Sequence, residues 1–116
     1  MNNEQRKIEE IKKELLGLGP MLPGSISEQW NVCGTPGCKC KNEKRPQKHG
    51  PYYQLSFSVN GKSSSFFVRK QDLAEARRRI QRYKRFKQLN KELMQAYVDL
   101  ARRNGFTDSE TSILTT

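Results

Sequence analysis

The chain has 116 residues, of which 34% are hydrophobic and 29% are charged, and this balance predicts one domain with a small core, an extended helix and some disordered sequence. The net charge of +10 favours a polyanionic partner, with nucleic acid ahead of an anionic membrane surface. Since we find neither a signal-peptide pattern nor a stretch of ~20 apolar residues, we expect a cytoplasmic protein with no membrane partner.

The first predicted element is a short amphipathic helix over residues 4–16, within an N-terminal region 1–20. Ile8, Ile11 and Leu15 recur at helical spacing, and the glycines and proline that follow end the pattern. A helix this short is marginal in isolation, so we expect it to pack on another element.

The next region, residues 21–70, is predicted to form a small β domain. Residues 25–32 alternate in polarity and predict a strand with Ile26 and Trp30 on one face. Residues 33–51 are predicted to be a loop, because they contain three glycines, three prolines, all the cysteines and the only histidine.

Residues 52–69 predict a β-hairpin. The pair Asn60-Gly61 is the one that a two-residue type I′ turn prefers, and it places Leu55 opposite Phe66. This register gives the hairpin one apolar face for a core. The opposite face is polar with two aromatic residues, and it carries Tyr52, Gln54, Ser56, Ser58, Ser63, Ser65, Phe67 and Arg69.

Residues 73–104 predict one long helix, within a region 71–105 that is expected to pack on the sheet. At 1.5 Å per residue the helix runs roughly 48 Å, which is more than a small sheet can cover. Its distal half, where Phe86 to Leu100 have coiled-coil-like spacing, must therefore pack on the N-terminal helix, on a second copy in a homodimer, or on both. Residues 106–116 are rich in Ser and Thr and are expected to be disordered.

The three cysteines and the histidine fall within 17 positions, as Cys33, Cys38, Cys40 and His49. Thiolate and imidazole are the preferred donors of tetrahedral zinc, and four of them complete its coordination. We therefore predict a structural Zn²⁺ site that ties the first strand to the hairpin. The alternative is three unrelated cysteines beside a surface histidine, but a polar loop is a poor place for free cysteine.

These elements together predict an α+β fold. It consists of a small three-stranded antiparallel sheet with a zinc loop, followed by one long basic helix, plus a short N-terminal helix. We expect no enzymatic activity, because the four ligands leave no open metal position and the sequence shows no nucleophile–base pair.

Three short motifs flank or contain the predicted ligands: Met21-Leu22-Pro23-Gly24-Ser25, Cys33-Gly34-x-Pro36-Gly37-Cys38-Lys39-Cys40 and His49-Gly50-Pro51-Tyr52-Tyr53-x-Leu55-Ser56. Together they resemble a family of short, uncharacterised prokaryotic proteins, over about residues 21–100. The resemblance implies an association with mobile elements such as phages and transposons. It supports treating the cysteines and His49 as one unit, and it implies no assigned activity.

Two sets of cations are candidates for nucleic-acid binding, and Arg69 beside the polar hairpin face is a further one. The helix set has seven cations in eleven positions, with no acid between Glu75 and Glu92. The helix cations are Arg77, Arg78, Arg79, Arg82, Lys84, Arg85 and Lys87, and the loop cations are Lys39, Lys41, Lys44, Arg45 and Lys48. Either set has a plainer interpretation as a solvated surface.

The sequence supports three hypotheses of function. The first is a zinc-stabilised, nucleoid-associated DNA-binding protein from a mobile element, held to DNA by Lys and Arg contacts with phosphates. The second is a non-enzymatic adaptor or inhibitor that binds a larger nucleic-acid-processing protein through the long helix. The third is RNA binding by the aromatic residues of the hairpin.

Overall fold

The structure is a computed structural model that describes residues 2–31 and 48–106. Its elements are α1 (Asn3–Leu16), β1 (Ser25–Asn31), β2 (His49–Val59), β3 (Lys62–Val68), a short 3₁₀ turn (Lys70–Asp72) and α2 (Leu73–Asn104). The predicted α+β fold is confirmed in its three-stranded antiparallel sheet and its two helices. Within the described residues, no helix has the length and apolar character needed to cross a membrane.

Helix α1 begins with a reciprocal capping box. The side chain of Asn2 accepts a hydrogen bond from the Gln5 backbone N–H at 2.8 Å, and the Gln5 side chain accepts one from the Asn2 backbone N–H at 3.0 Å. These two bonds satisfy donors that a helix N-terminus otherwise leaves without partners. The helix therefore begins one residue earlier than its apolar periodicity predicts.

The sheet has the strand order β1-β2-β3, and both pairings are antiparallel. The predicted hairpin register is confirmed, since Leu55 lies opposite Phe66 and Tyr53 opposite Val68. Asn60 and Gly61 both have positive φ, 54° and 76°, as a type I′ turn requires. The alternation of the strands and this turn together determine which side chains face the core.

The start of β2 differs from the prediction, because the strand begins at His49 and not after a loop that extends to residue 51. Pro51 lacks a backbone donor, and proline is confined to the edges, starts and bulges of strands. The position is tolerated because the pairing register shifts between Gln29 and Asn31, and because β3 ends opposite Tyr53. The predicted loop residues 33–47 lie outside the described part of the chain.

Trp30 was predicted to share one face of β1 with Ile26, and it does not join the buried cluster against which Ile26 packs. The Trp30 side chain is 50% exposed, and its indole N–H donates to Glu28 Oε1 at 3.2 Å. The pairing register of β1 with β2 shifts next to Trp30. Ile26 does pack against the buried cluster of the sheet.

The protein divides into two compact units, and α2 contributes to both. The sheet unit comprises Met21–Gln81. Its core consists of Leu55 and Val68 from the sheet with Ala76 and Ile80 from the start of α2. The backbone N–H of Leu22 also donates to the Arg79 carbonyl at 3.1 Å, which attaches the segment before β1 to this part of the helix.

The helical unit comprises Met1–Pro20 and the chain from Arg82 onward. Ile8 and Ile11 of α1 pack with Leu89, Leu93 and Ala96 of α2, and all five side chains are buried. The N-terminal helix is thus one partner of the distal half of α2, as predicted. The buried stripe passes through Ala96, and the next residue, Tyr97, is 39% exposed.

Candidate metal centre and nucleic-acid interface

The end of β1 and the start of β2 are paired, and they are the two ends of the predicted metal-binding loop. Asn31 lies opposite His49 in the pairing of the two strands. The chain between this pair carries Cys33, Cys38 and Cys40. The three cysteines lie outside the described residues, so the geometry of the proposed zinc ligands is given only for His49.

His49 stands at the first position of β2 and is half-buried. A Cβ atom placed on the next residue, Gly50, would lie 2.7 Å from the Gln29 carbonyl oxygen and 3.1 Å from the Trp30 ring. Gly50 also has a φ of 144°, which favours glycine. The close approach of Gly50 to β1 therefore holds the neighbouring His49 at the edge where the cysteine-bearing segment begins and ends.

Three of the predicted nucleic-acid cations in the sheet unit have carboxylate partners. Glu75 pairs with Arg78 at 3.1 Å and with Arg79 at 2.9 Å, while Arg69 pairs with Asp72 at 3.0 Å. These pairs are exposed and neutralise part of the positive charge where α2 begins. A nucleic-acid phosphate would have to compete with these carboxylates for the same guanidinium groups.

Arg85 and Arg82 in the helical unit are also engaged. Arg85 forms a two-point contact with Glu14 of α1, with Nη2 donating to Oε1 at 2.9 Å, and it lies 3.9 Å from Glu92. The hydrogen bonds from Arg85 lower the pKa of Glu14 below its ordinary value, and those with Glu14 raise the pKa of Arg85. Arg82 donates to the Pro20 carbonyl at 3.2 Å. We infer that both arginines hold the helical unit together.

Three lysines of the helical unit form a column on α2. Lys84, Lys87 and Lys91 are exposed and are spaced by three and four residues, so they share one side of the helix. Among the described residues, no carboxylate lies within ion-pair distance of any of them. The ammonium of Lys87 lies 5.1 Å from the centre of the Tyr83 ring, which orients it without neutralising it.

Lys91 was missing from the predicted cations, because the prediction followed the local density of charge from Arg77 to Lys87. The better signal is the helical spacing of Lys84, Lys87 and Lys91, which is present in the sequence. Arg77 and Lys48 in the sheet unit are exposed and also lack an ion pair within the described part of the chain. The remaining predicted cations, Lys39, Lys41, Lys44 and Arg45, fall in the segment that the structure does not describe.

Among the comparisons with known proteins, one family model matches this chain. Residues 1–78 match the model of the family described as a domain of unknown function, DUF6788. The chain belongs to this family. No curated protein and no solved structure matches it.

The DUF6788 match includes α1, the whole sheet, the segment with the three cysteines and the first turns of α2. Lys84, Lys87 and Lys91 lie beyond the matched residues. The family model therefore covers the proposed zinc ligands, and the lysine column rests on this chain's own sequence and structure.

Proposed function

We propose that this DUF6788 protein is a non-enzymatic, zinc-stabilised protein that binds nucleic acid, with duplex DNA as its main partner. The observation that carries the proposal is the column of Lys84, Lys87 and Lys91, three exposed cations on one side of α2 without carboxylate partners among the described residues. We also propose, from the resemblance of the motifs, that it acts on the nucleoid as part of a mobile element.

The physical argument for DNA begins with repulsion among like charges. Lys84 to Lys91 span about 10.5 Å of helix, so the three ammonium groups raise one another's electrostatic energy when no anion lies nearby. Duplex DNA presents one phosphate per ~1.7 Å of its axis and releases condensed counterions when lysines replace them. A phosphate backbone therefore has the sign that the column requires, and it presents several phosphates over the length of the column.

The zinc site has a supporting role in the proposal. Cys33, Cys38, Cys40 and His49 would bind one Zn²⁺ and close the segment that leaves β1 at Asn31 and returns at His49. The ion would fix the lysines and arginine of that segment beside the sheet. Lys39, Lys41, Lys44 and Arg45 would then contact phosphates as a second group.

The proposal is tested by titrating salt into complexes of the zinc-loaded protein with duplex DNA, single-stranded DNA and RNA of one sequence. We expect the tightest binding to duplex DNA, with an affinity that falls steeply and log-linearly as salt increases. The proposal fails if none of the three nucleic acids binds even at low salt. If RNA binds more tightly than DNA, RNA is the main partner and the DNA proposal is wrong.

A second function, an adaptor that binds a larger nucleic-acid-processing protein, is favoured by one observation. Near the end of α2, Val98 is 46% exposed and Phe106 is 91% exposed, and both line a shallow apolar depression with Tyr97 and Ala101. Exposed apolar side chains grouped in this way are typical of a protein-binding surface. In that case Val98→Asp would abolish binding to the partner protein and leave DNA affinity unchanged.

A further inference from the structure

Within the three strands, the outer face of the sheet, the one turned away from Leu55 and Val68, carries no charged residue, because β3 ends before Arg69. The pairing registers place ten residues on it, and all of them are serine, glutamine, tyrosine or phenylalanine. This is unusual in a chain with 29% charged residues, because solvated sheet faces and edges normally carry lysine or glutamate. Eight of the ten residues are exposed, and the two glutamines, Gln29 and Gln54, are half-buried.

The polar groups of this outer face are connected across all three strands. Gln29 of β1 donates to the side-chain oxygen of Gln54 in β2, and Gln54 donates to Ser65 Oγ of β3 at 2.9 Å. These bonds hold the Gln54 amide in place, while its second N–H and the Ser65 hydroxyl hydrogen can still donate outward. The surface thus presents fixed donors and acceptors without charge.

The chemistry of this neutral face matches that of base edges. Base edges in a DNA groove present uncharged hydrogen-bond donors and acceptors. The serine and glutamine side chains of the outer face present complementary groups that are also uncharged. The axes of the three strands span about 10 Å, and the ~12 Å major groove is wide enough to admit two paired strands.

An aromatic pair lies at the Arg69 end of the same face. The ring centres of Tyr52 and Phe67 are 6.1 Å apart. The two residues are 42% and 62% exposed. Apolar contact with a thymine methyl group is one of the base contacts that the major groove offers, and glutamine can bind an adenine edge with two hydrogen bonds. Both chemistries are present on the outer face.

We propose that the outer face of the sheet contacts base edges in the DNA major groove and gives the protein a sequence preference. The inference rests on the proposed function, because the lysine column supplies the sequence-independent affinity. Under this proposal, one set of side chains provides the affinity for DNA and another set provides the preference for particular bases. Lysines determine the salt dependence, whereas Gln54 and its neighbours determine which bases are favoured.

The experiment selects bound sequences from a pool of short random DNA duplexes and then measures the affinity ratio between the preferred duplex and a scrambled one. Ser56→Glu places a carboxylate in the middle of the outer face, opposite Ser25 and Ser65. Ser64→Glu is the matched control, since Ser64 lies next to Ser65 but faces the opposite side, across from Phe57. Gln29→Ala is a second outer-face variant, which keeps the test decisive if Ser56→Glu does not fold.

We expect Ser56→Glu and Gln29→Ala to lower the preference by about tenfold or more, the value of one base contact, with the salt slope unchanged. Ser64→Glu should keep the preference. A wild-type protein that binds duplexes with normal salt dependence but selects no sequence overturns this inference and leaves the proposed function standing. Equal losses in Ser56→Glu and Ser64→Glu also overturn it, and absence of any binding at low salt overturns both proposals.

Discussion

Asn31 and His49 face each other across β1 and β2, and the chain between them holds every cysteine of the protein. Because the two ends of this segment are already paired, its closure around an ion costs less loop-closure entropy than it would in an open chain. Trp30, the single tryptophan, lies against Gly50, the residue after His49. The fluorescence of Trp30 should therefore report on metal binding at His49.

The first prediction concerns zinc. Metal analysis should give one Zn²⁺ per chain, and a chelator should shift the emission of Trp30 and lower the Tm by more than about 10 °C, because metal binding contributes folding energy. Cys38→Ser should reproduce both effects, and a chelator should then have no further effect on that variant. A metal-free wild-type protein with an unchanged Tm would contradict the site.

The second prediction concerns Gly24, whose φ is 96°. A Cβ atom there would overlap the Ser56 carbonyl oxygen and lie 2.9 Å from Phe57 Cβ. We expect Gly24→Ala to destabilise the fold by more than about 2 kcal/mol in urea unfolding.

Gly17→Ala is the control for Gly24. Gly17 has a φ of −92° and its nearest neighbours are 3.7 Å from an added Cβ, so alanine should be neutral or stabilising by about 0.5 kcal/mol. Similar unfolding midpoints for the two variants would show that the segment before β1 is not held as described.

The third prediction concerns pH. Arg85 lowers the pKa of Glu14 in the folded state below its ordinary value of 4.5, mainly by hydrogen bonding. The stabilisation from this carboxylate is therefore fully present above pH 4.5 and is lost as the pH falls through the lowered pKa. Glu14→Gln should lower the Tm at neutral pH, and the difference from wild type should shrink in an acid series.

Glu10→Gln provides the control for Glu14. Glu10 is an exposed carboxylate of the same helix with no ion pair among the described residues, so its removal should leave the Tm nearly unchanged at every pH. If the two variants respond alike, the contact between Glu14 and Arg85 does not stabilise the helical unit.

Local patterns were sufficient to predict much of the fold. The bounds of α2 and the hairpin register follow from the apolar stripe that starts at Leu73 and from the turn at Asn60-Gly61, because both signals lie within a few residues of what they determine. The failures arose where tertiary context decides. The register shift beside Trp30, for example, belongs to the pairing of β1 with β2, and no local pattern predicts it.

The candidate site was harder to predict for the same reason. Arg85 looked like a phosphate ligand, but its partner Glu14 is 71 residues away in the sequence, and only the packing of α1 on α2 brings them together. A cation's availability depends on such contacts, and a count of nearby charges does not include them. It also missed Lys91, which lies outside the densest stretch.

The most direct test of DNA binding by the lysine column is the salt slope of duplex binding. Changing Lys84, Lys87 and Lys91 to glutamine should reduce the slope by about 2 to 3, since each lost phosphate contact accounts for about 0.9. The control changes Arg6, Lys7 and Lys13 of α1 to glutamine. These residues are exposed and lack ion pairs within the described residues, so the variant removes the same charge and should alter the slope by less than about 1. Equal slopes for the two variants would contradict a role for the column in binding.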